Sequence, residues 1–413
     1  HTGIIPNSDL VNNTFNLNTS LKISKKFTLS TNLDLSRNGA DNRPAGERGT
    51  NPMQWAYEVN PSTDIRDLRN YWIAGKEGLQ QRAQDWDRSI HQLNNPYFLA
   101  YEIKNGFSRD RVFGNIRADW KIIPELNLML RYALDNLAEK RETQVANSYT
   151  TDPYGGYGLM DLRNFENNVD ALLNYKKSVK DFSFSLSAGA NHRYQNGSNS
   201  SNSSINGLIV AGVYSLNNIA MGNLIANSYK FQKSVQSVYG LLNVGYKNSI
   251  FLDVTGRNDW SSTLPDAQGY FYPAASISIL ANEFLKLSNK ISLLKLRAGI
   301  AEVGNDTSPY QLINSLNNAG TFNGTPQLTT SSLLLNPQLK PEIARSYETG
   351  LDLNMFGNRL RFAGTYYMVE NKNQIFSTLM PPSSGYDSKN INAGLLRSKG
   401  IELTFGITPV QNK

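Results

Sequence analysis

Apolar and polar residues alternate along most of this chain. Phe15, Leu17, Thr19, Leu21 and Ile23 form one phase against Asn16, Asn18, Ser20, Lys22 and Ser24. After Lys25 and Lys26 the alternation restarts with Phe27, Leu29, Thr31, Leu33 and Leu35. A strict period of two broken by a short polar interruption predicts a β-hairpin. The unit recurs at Val112–Ile122 with Leu126–Asn136, at Phe165–Tyr175 with Phe182–Ala190, and at Val238–Tyr246 with Ile250–Gly256. It recurs again at Phe271–Ile279 with Leu294–Ile300 and at Ile343–Met355 with Leu360–Met368, and a last strand follows at Ile401–Ile407. The pattern predicts about thirteen strands of roughly 8–12 residues, against the roughly 9–11 that a tilted membrane-spanning strand needs.

The predicted connections alternate in length. Within hairpins they are a few residues. Between hairpins they are long, covering 37–109, 137–163, 192–234, 258–270, 301–342 and 370–398. Short turns on one side and long loops on the other mark outer-membrane barrels, whereas a soluble β-sandwich rarely carries so many long loops. The polar phase is Asn, Ser, Thr, Gly and Asp with few charges, which suits a wet lumen better than a Lys- and Glu-rich solvent surface. The apolar phase places Phe27, Trp120, Tyr175, Phe182, Tyr246 and Phe356 close to the short turns. Amphipathic rings gather at the membrane–water interface in this way. The fold predicted is all-β, a transmembrane antiparallel barrel with short periplasmic turns and long extracellular loops.

Composition narrows the chemistry. The 413 residues include no cysteine and three histidines, His1, His91 and His192, far apart in sequence. This removes thiolate metal sites, disulfides and cysteine nucleophiles, and makes histidine-centred catalysis improbable. Charged residues are only 18% of the chain, and asparagine is about one residue in eight. A net charge of +7, carried by scattered basic residues, argues against nucleic acid as a partner. The longest apolar run, GLIVAGVY at 207–214, is less than half of the ~18 residues that a spanning helix needs.

Four segments carry a family resemblance: GIIPNS at 3–8, TGRNDWSSTLP at 255–265, LKPEIARSYETGLDLNMFGNRLRFAGTYY at 339–367 and LLRSKGIELTFGITP at 395–409. In order and spacing they resemble the barrel of SusC/RagA-type TonB-dependent outer-membrane transporters. The resemblance implies import of a large nutrient, oligosaccharide or peptide, in the outer membrane of a Bacteroidota-type bacterium. It implies a SusD-like surface lipoprotein as lid, energy from TonB through a plug domain, and contact with outer-membrane lipid and lipopolysaccharide. No cofactor, metal or catalytic group is expected. The family barrel has about 22 strands, so residues 1–413 are expected to form part of one barrel domain, with plug and closing strands outside this chain. A passive porin-like channel, a barrel subunit of a larger envelope or secretion assembly, and a soluble β-sandwich binding module or hydrolase are the alternatives.

Two groups of residues stand out. Trp55, Tyr71, Trp72, Trp86, Tyr97 and Tyr101 crowd the first long loop. They are candidates for contact with ligand or partner, Trp72 and Trp86 as anchors, or else for packing the loop on itself. In the second group, Gly256, Arg257, Asn258, Asp259 and Trp260, the Gly and the Asn–Asp pair read as turn formers after a strand, with Trp260 holding the strand end. Asp85 with Asp87, or Glu47 with Glu58, could form a carboxylate pair, a pattern common by chance. NGSNSSNSS at 196–204 reads as a flexible polar loop. Asn305–Asp306 and Asp352 are too isolated to argue for calcium.

Overall fold

The computed structural model describes residues 3–43, 50–59, 61–82, 94–265, 269–285, 287–288 and 290–410. The strands are β1 (Val11–Lys22), β2 (Phe27–Ala40), β3 (Ile103–Ile123), β4 (Leu126–Val145), β5 (Gly156–Val179), β6 (Phe182–Ser204), β7 (Leu224–Tyr246) and β8 (Ile250–Ser261). They continue as β9 (Tyr270–Leu280), β10 (Ile291–Asn305), β11 (Leu316–Phe322), β12 (Thr325–Thr330), β13 (Leu333–Leu334), β14 (Glu342–Met355), β15 (Leu360–Leu379) and β16 (Ser388–Ile407). Two short helices, α1 (Pro52–Tyr57) and α2 (Pro96–Glu102), sit in the first long connection.

Fourteen strands form one sheet in which sequence neighbours pair from β1 to β10, then β14, β15 and β16, with the two-residue β13 added in parallel beside β16. β11 and β12 form a separate hairpin. The thirteen strands read from the alternation are all present. Within the sheet, β1 and β16 do not pair with each other.

Antiparallel register puts directly opposed residues on the same face. Leu17, Leu21, Leu130, Leu173, Leu242, Leu252, Leu351 and Phe362 all fall on one face by this pairing. Asn16, Asn18, Asn168, Asn243 and Asp352 all fall on the other. Phe27, Trp120, Tyr175, Phe182 and Tyr246 share the apolar face beside the short turns, and Phe356 lies in the last of those turns. No second layer packs on the apolar face among the described residues. Leu242, Leu296 and Leu403 remain 37%, 44% and 68% exposed. A sandwich would have covered them. The buried apolar side chains lie mostly in the connections, among them Trp55, Phe98, Leu99, Ile219, Leu264 and Leu339.

The tight turns are built for reversal. In the three-residue connection 247–249, Lys247 and Asn248 both take positive φ (48° and 53°), the left-handed geometry that matches the twist of the flanking strands. Phe356, Gly357 and Asn358 are likewise left-handed (54°, 66° and 70°). Side chains rarely adopt this backbone, and here glycine supplies one of the three positions without strain.

Hydrogen-bonded rows climb across the sheet. One starts at Leu126, the first residue of β4, and passes Tyr175, Leu242, Ile300 and Tyr347 to Met368, eight residues along β15. That stagger is the shear of a tilted barrel wall.

The strands run further than the hydrophobic alternation. β5, β6 and β7 span 24, 23 and 23 residues. The connection expected at 192–234 shrinks to 205–223, and the one at 370–398 shrinks to 380–387. NGSNSSNSS is not a loop. It is the paired outer end of β6, bonded to both β5 and β7. Above the apolar zone both faces meet polar surroundings, so period two fades from the side chains while backbone pairing continues.

Leu351 lies on the apolar face between Leu296 and Gly364, about the middle of its apolar stretch. Leu351→Arg is expected to cost about 2–4 kcal/mol in denaturant unfolding from lipid vesicles. Ala363→Arg, on the opposite face beside Asp352, is expected to cost much less.

Candidate functional site

The polar face is a wall of cross-strand pairs. On β4 and β5, Arg131 donates to Asp170 at 2.9 and 2.6 Å, and Asn191 of β6 donates to the same carboxylate at 2.6 Å. Further round, Arg257 of β8 donates to Asp259 at 2.7 Å and to Ser237 of β7 at 2.8 Å. Tyr272 of β9 donates to Asp259 as well. Lys233 of β7 meets Asp306 at 2.6 Å, and Ser261 donates to that same carboxylate. Between these groups lies a cleft of about 490 Å³, lined by Arg131, Asp170, Arg193, Tyr239, Arg257, Asp259 and Tyr270. Each carboxylate here is held by at least two donors, which offsets much of its desolvation.

The GRNDWSS segment belongs to this wall. Gly256, Arg257, Asn258, Asp259 and Trp260 are paired residues of β8 against β7, not a turn after it. Alternation sends Arg257, Asp259 and Ser261 to the polar face, and Gly256, Asn258 and Trp260 to the apolar face. Turn-forming residue types misled here because each has a pairing role instead. Gly256 lies under the Phe271 ring, where an added Cβ would meet ring carbons at 3.0 Å, and Trp260 is 41% exposed.

The first long connection builds its own core above the wall. Asn51 caps α1, accepting from the Met53 amide at 3.0 Å, and Asn95 caps α2, accepting from the Tyr97 amide at 2.9 Å. Each helix opens on a proline in its first turn. Trp55, Phe98, Leu99, Ile103, Ala146 and Tyr149 cluster, with Tyr71 and Trp72 packed against them. Trp72 meets Phe98 edge-on at 5.3 Å, and Tyr71 stacks on Tyr101 at 6.1 Å. Tyr71 donates to Glu102 at 2.9 Å, and burial together with that carboxylate pushes its phenol well above the usual range, so it stays a donor.

A buried amide knot ties this connection to the next one. Gln81 donates to Asn94 at 2.8 Å and to the Ser148 carbonyl at 2.6 Å, and Asn94 donates to Thr150 at 2.9 Å. Asn95 donates to the carbonyls of Leu68 and Arg82 at 2.9 and 3.1 Å. In the same region, burial pushes the Tyr214 phenol up to about 12, with the Glu102 carboxylate adding to the effect.

Of the aromatic candidates, Trp55 is buried, Tyr71, Trp72 and Tyr97 are half-buried, and Tyr101 is 40% exposed. Trp86 lies outside the described residues, as do Glu47, Asp85, Asp87 and His91. His192 faces outward and shares a hydrogen bond with Ser234 at 3.0 Å. Among the described residues no group of three or more His, Asp or Glu could hold a metal. The charge pairs of the wall escaped the sequence reading because Arg131 and Asp170 become opposite only when the β4–β5 register is known.

Residues 7–408 match the family model described as TonB dependent receptor-like, beta-barrel. TonB-dependent receptor P3 of Formosa agariphila is 26% identical over 430 aligned residues, covering all of this chain and 41% of the relative. TonB-dependent receptor P26 of the same bacterium is 32% identical over 196 residues, 46% of this chain and 20% of the relative. The solved RagAB peptide transporter is similar in fold, with a TM-score of 0.77 at 19% identity, covering 98% of this chain and 45% of that one. The ferric preacinetobactin receptor BauA of Acinetobacter baumannii gives 0.54 at 13% identity, over all of this chain and 54% of that one. The chain thus spans less than half the length of the curated relatives it matches.

Two substitutions test the site's two parts. Asp259→Ala strips Arg257 and Tyr272 of a shared acceptor and is expected to cost about 1–3 kcal/mol in denaturant unfolding. Phe98→Ala empties the centre of the first connection and should speed cleavage within residues 50–82 by external protease on intact cells, while the sheet stays resistant.

Proposed function

This chain belongs to the TonB-dependent receptor β-barrel family, and on that premise we propose that it forms much of the wall of an outer-membrane importer for a large nutrient, an oligosaccharide or a peptide. The family resides in the outer membrane, and the relatives are receptors and transporters rather than enzymes. The observation that carries the reading is the two-faced sheet, uncovered and apolar on one side, charge-paired and amide-rich on the other. A passing solute would meet many weak hydrogen bonds and few free charges, a surface it can leave as readily as it enters.

In this reading a plug domain and further strands complete the barrel from sequence outside these residues, and TonB acts through the plug. A SusD-like lipoprotein covers the outer end. The support is the resemblance of the motifs, the fold shared with a protein described as a peptide transporter, and apolar side chains on the connections at that end. Ile209 and Met221 of the 205–223 connection, and Leu316, Phe322 and Leu328 of the β11–β12 hairpin, are each 60% or more exposed. These are better anchors than Trp72, which packs within its own loop. A stable complex should bury well over about 1,000 Å².

The test uses the full-length protein in its own host. Uptake of the nutrient should be lost when TonB is deleted, and a gentle detergent pull-down should recover a lipoprotein that is lost when Phe322 and Leu328 are both changed to Asp. Uptake that persists without TonB would replace this reading with a passive channel. External protease should cut within 50–82 or 205–223 and spare the turns at Lys25, Lys247 and Gly357; cleavage at those turns on intact cells would invert the topology.

A further inference from the structure

We propose that the outward faces of β10, β14, β15 and β16 carry a binding site for the phosphate groups of outer-leaflet glycolipid, centred on Arg345, Arg397 and Lys372. Glu302, Arg345, Glu370 and Arg397 lie directly opposite one another in a single row across the four strands. That row is on the apolar face, in phase with Leu296, Leu351 and Leu403. Charges on this face are out of place unless they lie where the lipid tails end.

Height locates them. On β14 the apolar face reads Met355, Leu353, Leu351, Thr349 and Tyr347 from the short turn upward, then Arg345. Arg345 is ten residues from Met355. At about 3.3 Å per residue and a tilt of roughly 40°, that is a rise of about 25 Å, the height of the apolar band of an outer-membrane barrel. Tyr347 and Tyr366, immediately below, occupy the interfacial level where such rings collect.

The local arrangement favours an anion. Glu370 is held by Arg397 at 2.8 and 2.5 Å and by Lys372 at 3.5 Å, and Glu302 is held by Arg345. The two carboxylate side chains are only 9% and 14% exposed, whereas Arg397 and Lys372 are 56% and 38% exposed. The carboxylates thus orient the cations from beneath, and the cations face outward. Lys399 lies one row below on the same face and is exposed, long enough to reach the same level. Counting Arg345, Arg397, Lys372 and Lys399 against Glu302 and Glu370 gives four positive charges and two negative, a net +2 at headgroup depth. Guanidinium groups with donors to spare match phosphate oxygens, and the phosphorylated glycolipid of the outer leaflet is the anion presented at that height.

This inference rests on the outer-membrane location and not on the importer reading, so the two can fail separately. The experiment compares full-length receptor with the Arg345→Gln, Lys372→Gln, Arg397→Gln triple variant, each in nanodiscs, binding purified host lipid A or the same lipid A stripped of phosphate. Barrel folding is checked by heat-dependent gel mobility. Phosphorylated lipid A is expected to bind the native protein more tightly than the stripped form, with a loss of roughly fivefold for each cation removed. Arg397→Gln alone, at an exposed position, gives the same reading should the triple variant fail to fold, and Arg397→Lys should restore part of the binding. Equal binding of the two lipids, or no loss in Arg397→Gln, would overturn the proposal, whatever happens to nutrient uptake.

Discussion

Backbone hydrogen bonding is the constraint on which this structure depends. In hydrocarbon an unpaired amide or carbonyl has no water to turn to, so a spanning β-structure must pair every strand along its length. Once the ladders are fixed, side chains have only two directions, and one slip of register would exchange the faces of a whole strand. The uninterrupted pairing from β1 to β10 and on through β14–β16 therefore does more than hold the sheet together. It keeps Leu17 of β1 and Phe362 of β15 on the same face, and Asn16 and Asp352 on the other.

The same constraint explains where the molecule keeps its buried side chains. A soluble domain spends its apolar residues on a core between layers. Here the apolar face is left for lipid, and close packing appears only where a connection must hold its own shape in water, as around Phe98. Polar chemistry is similarly displaced. Paired charges such as Arg131–Asp170 and Arg257–Asp259 line the inner wall, where each guanidinium is fixed by geometry and few are left free.

Much of this was legible from the sequence, and the failures share a cause. Alternation identified every membrane strand because lipid on one side and a wet lumen on the other impose a period of two on residues such as Leu17 to Ile23. It lost the outer parts of β5, β6 and β7 because nothing in their surroundings distinguishes one face from the other. Asn and Ser at 196–204 favour turns in isolation, yet two neighbouring ladders hold them extended. In GRNDWSS the residue types again said turn, and pairing overrode them. The loop aromatics were visible as a group, but whether Trp55 or Trp72 faces ligand or its own loop depends on tertiary packing, which no local pattern carries. The row from Glu302 to Arg397 was invisible for a simpler reason: its members are spread over 96 positions and meet only through three registers.

The length of β5, β6 and β7 has a consequence for how this end of the sheet would meet a partner. A 43-residue loop at 192–234 would sample many conformations and surrender them each time something bound. Continued as ladder to Ser204 and resumed at Leu224, the same stretch leaves only 19 residues of connection, 205–223. The entropy of ordering that rim is spent once, at folding, and not at each encounter. A rim of this kind would present a preformed edge to whatever meets it. Its affinity should curve less with temperature than that of a folding-on-contact loop, because binding that orders no further backbone carries a smaller change in heat capacity.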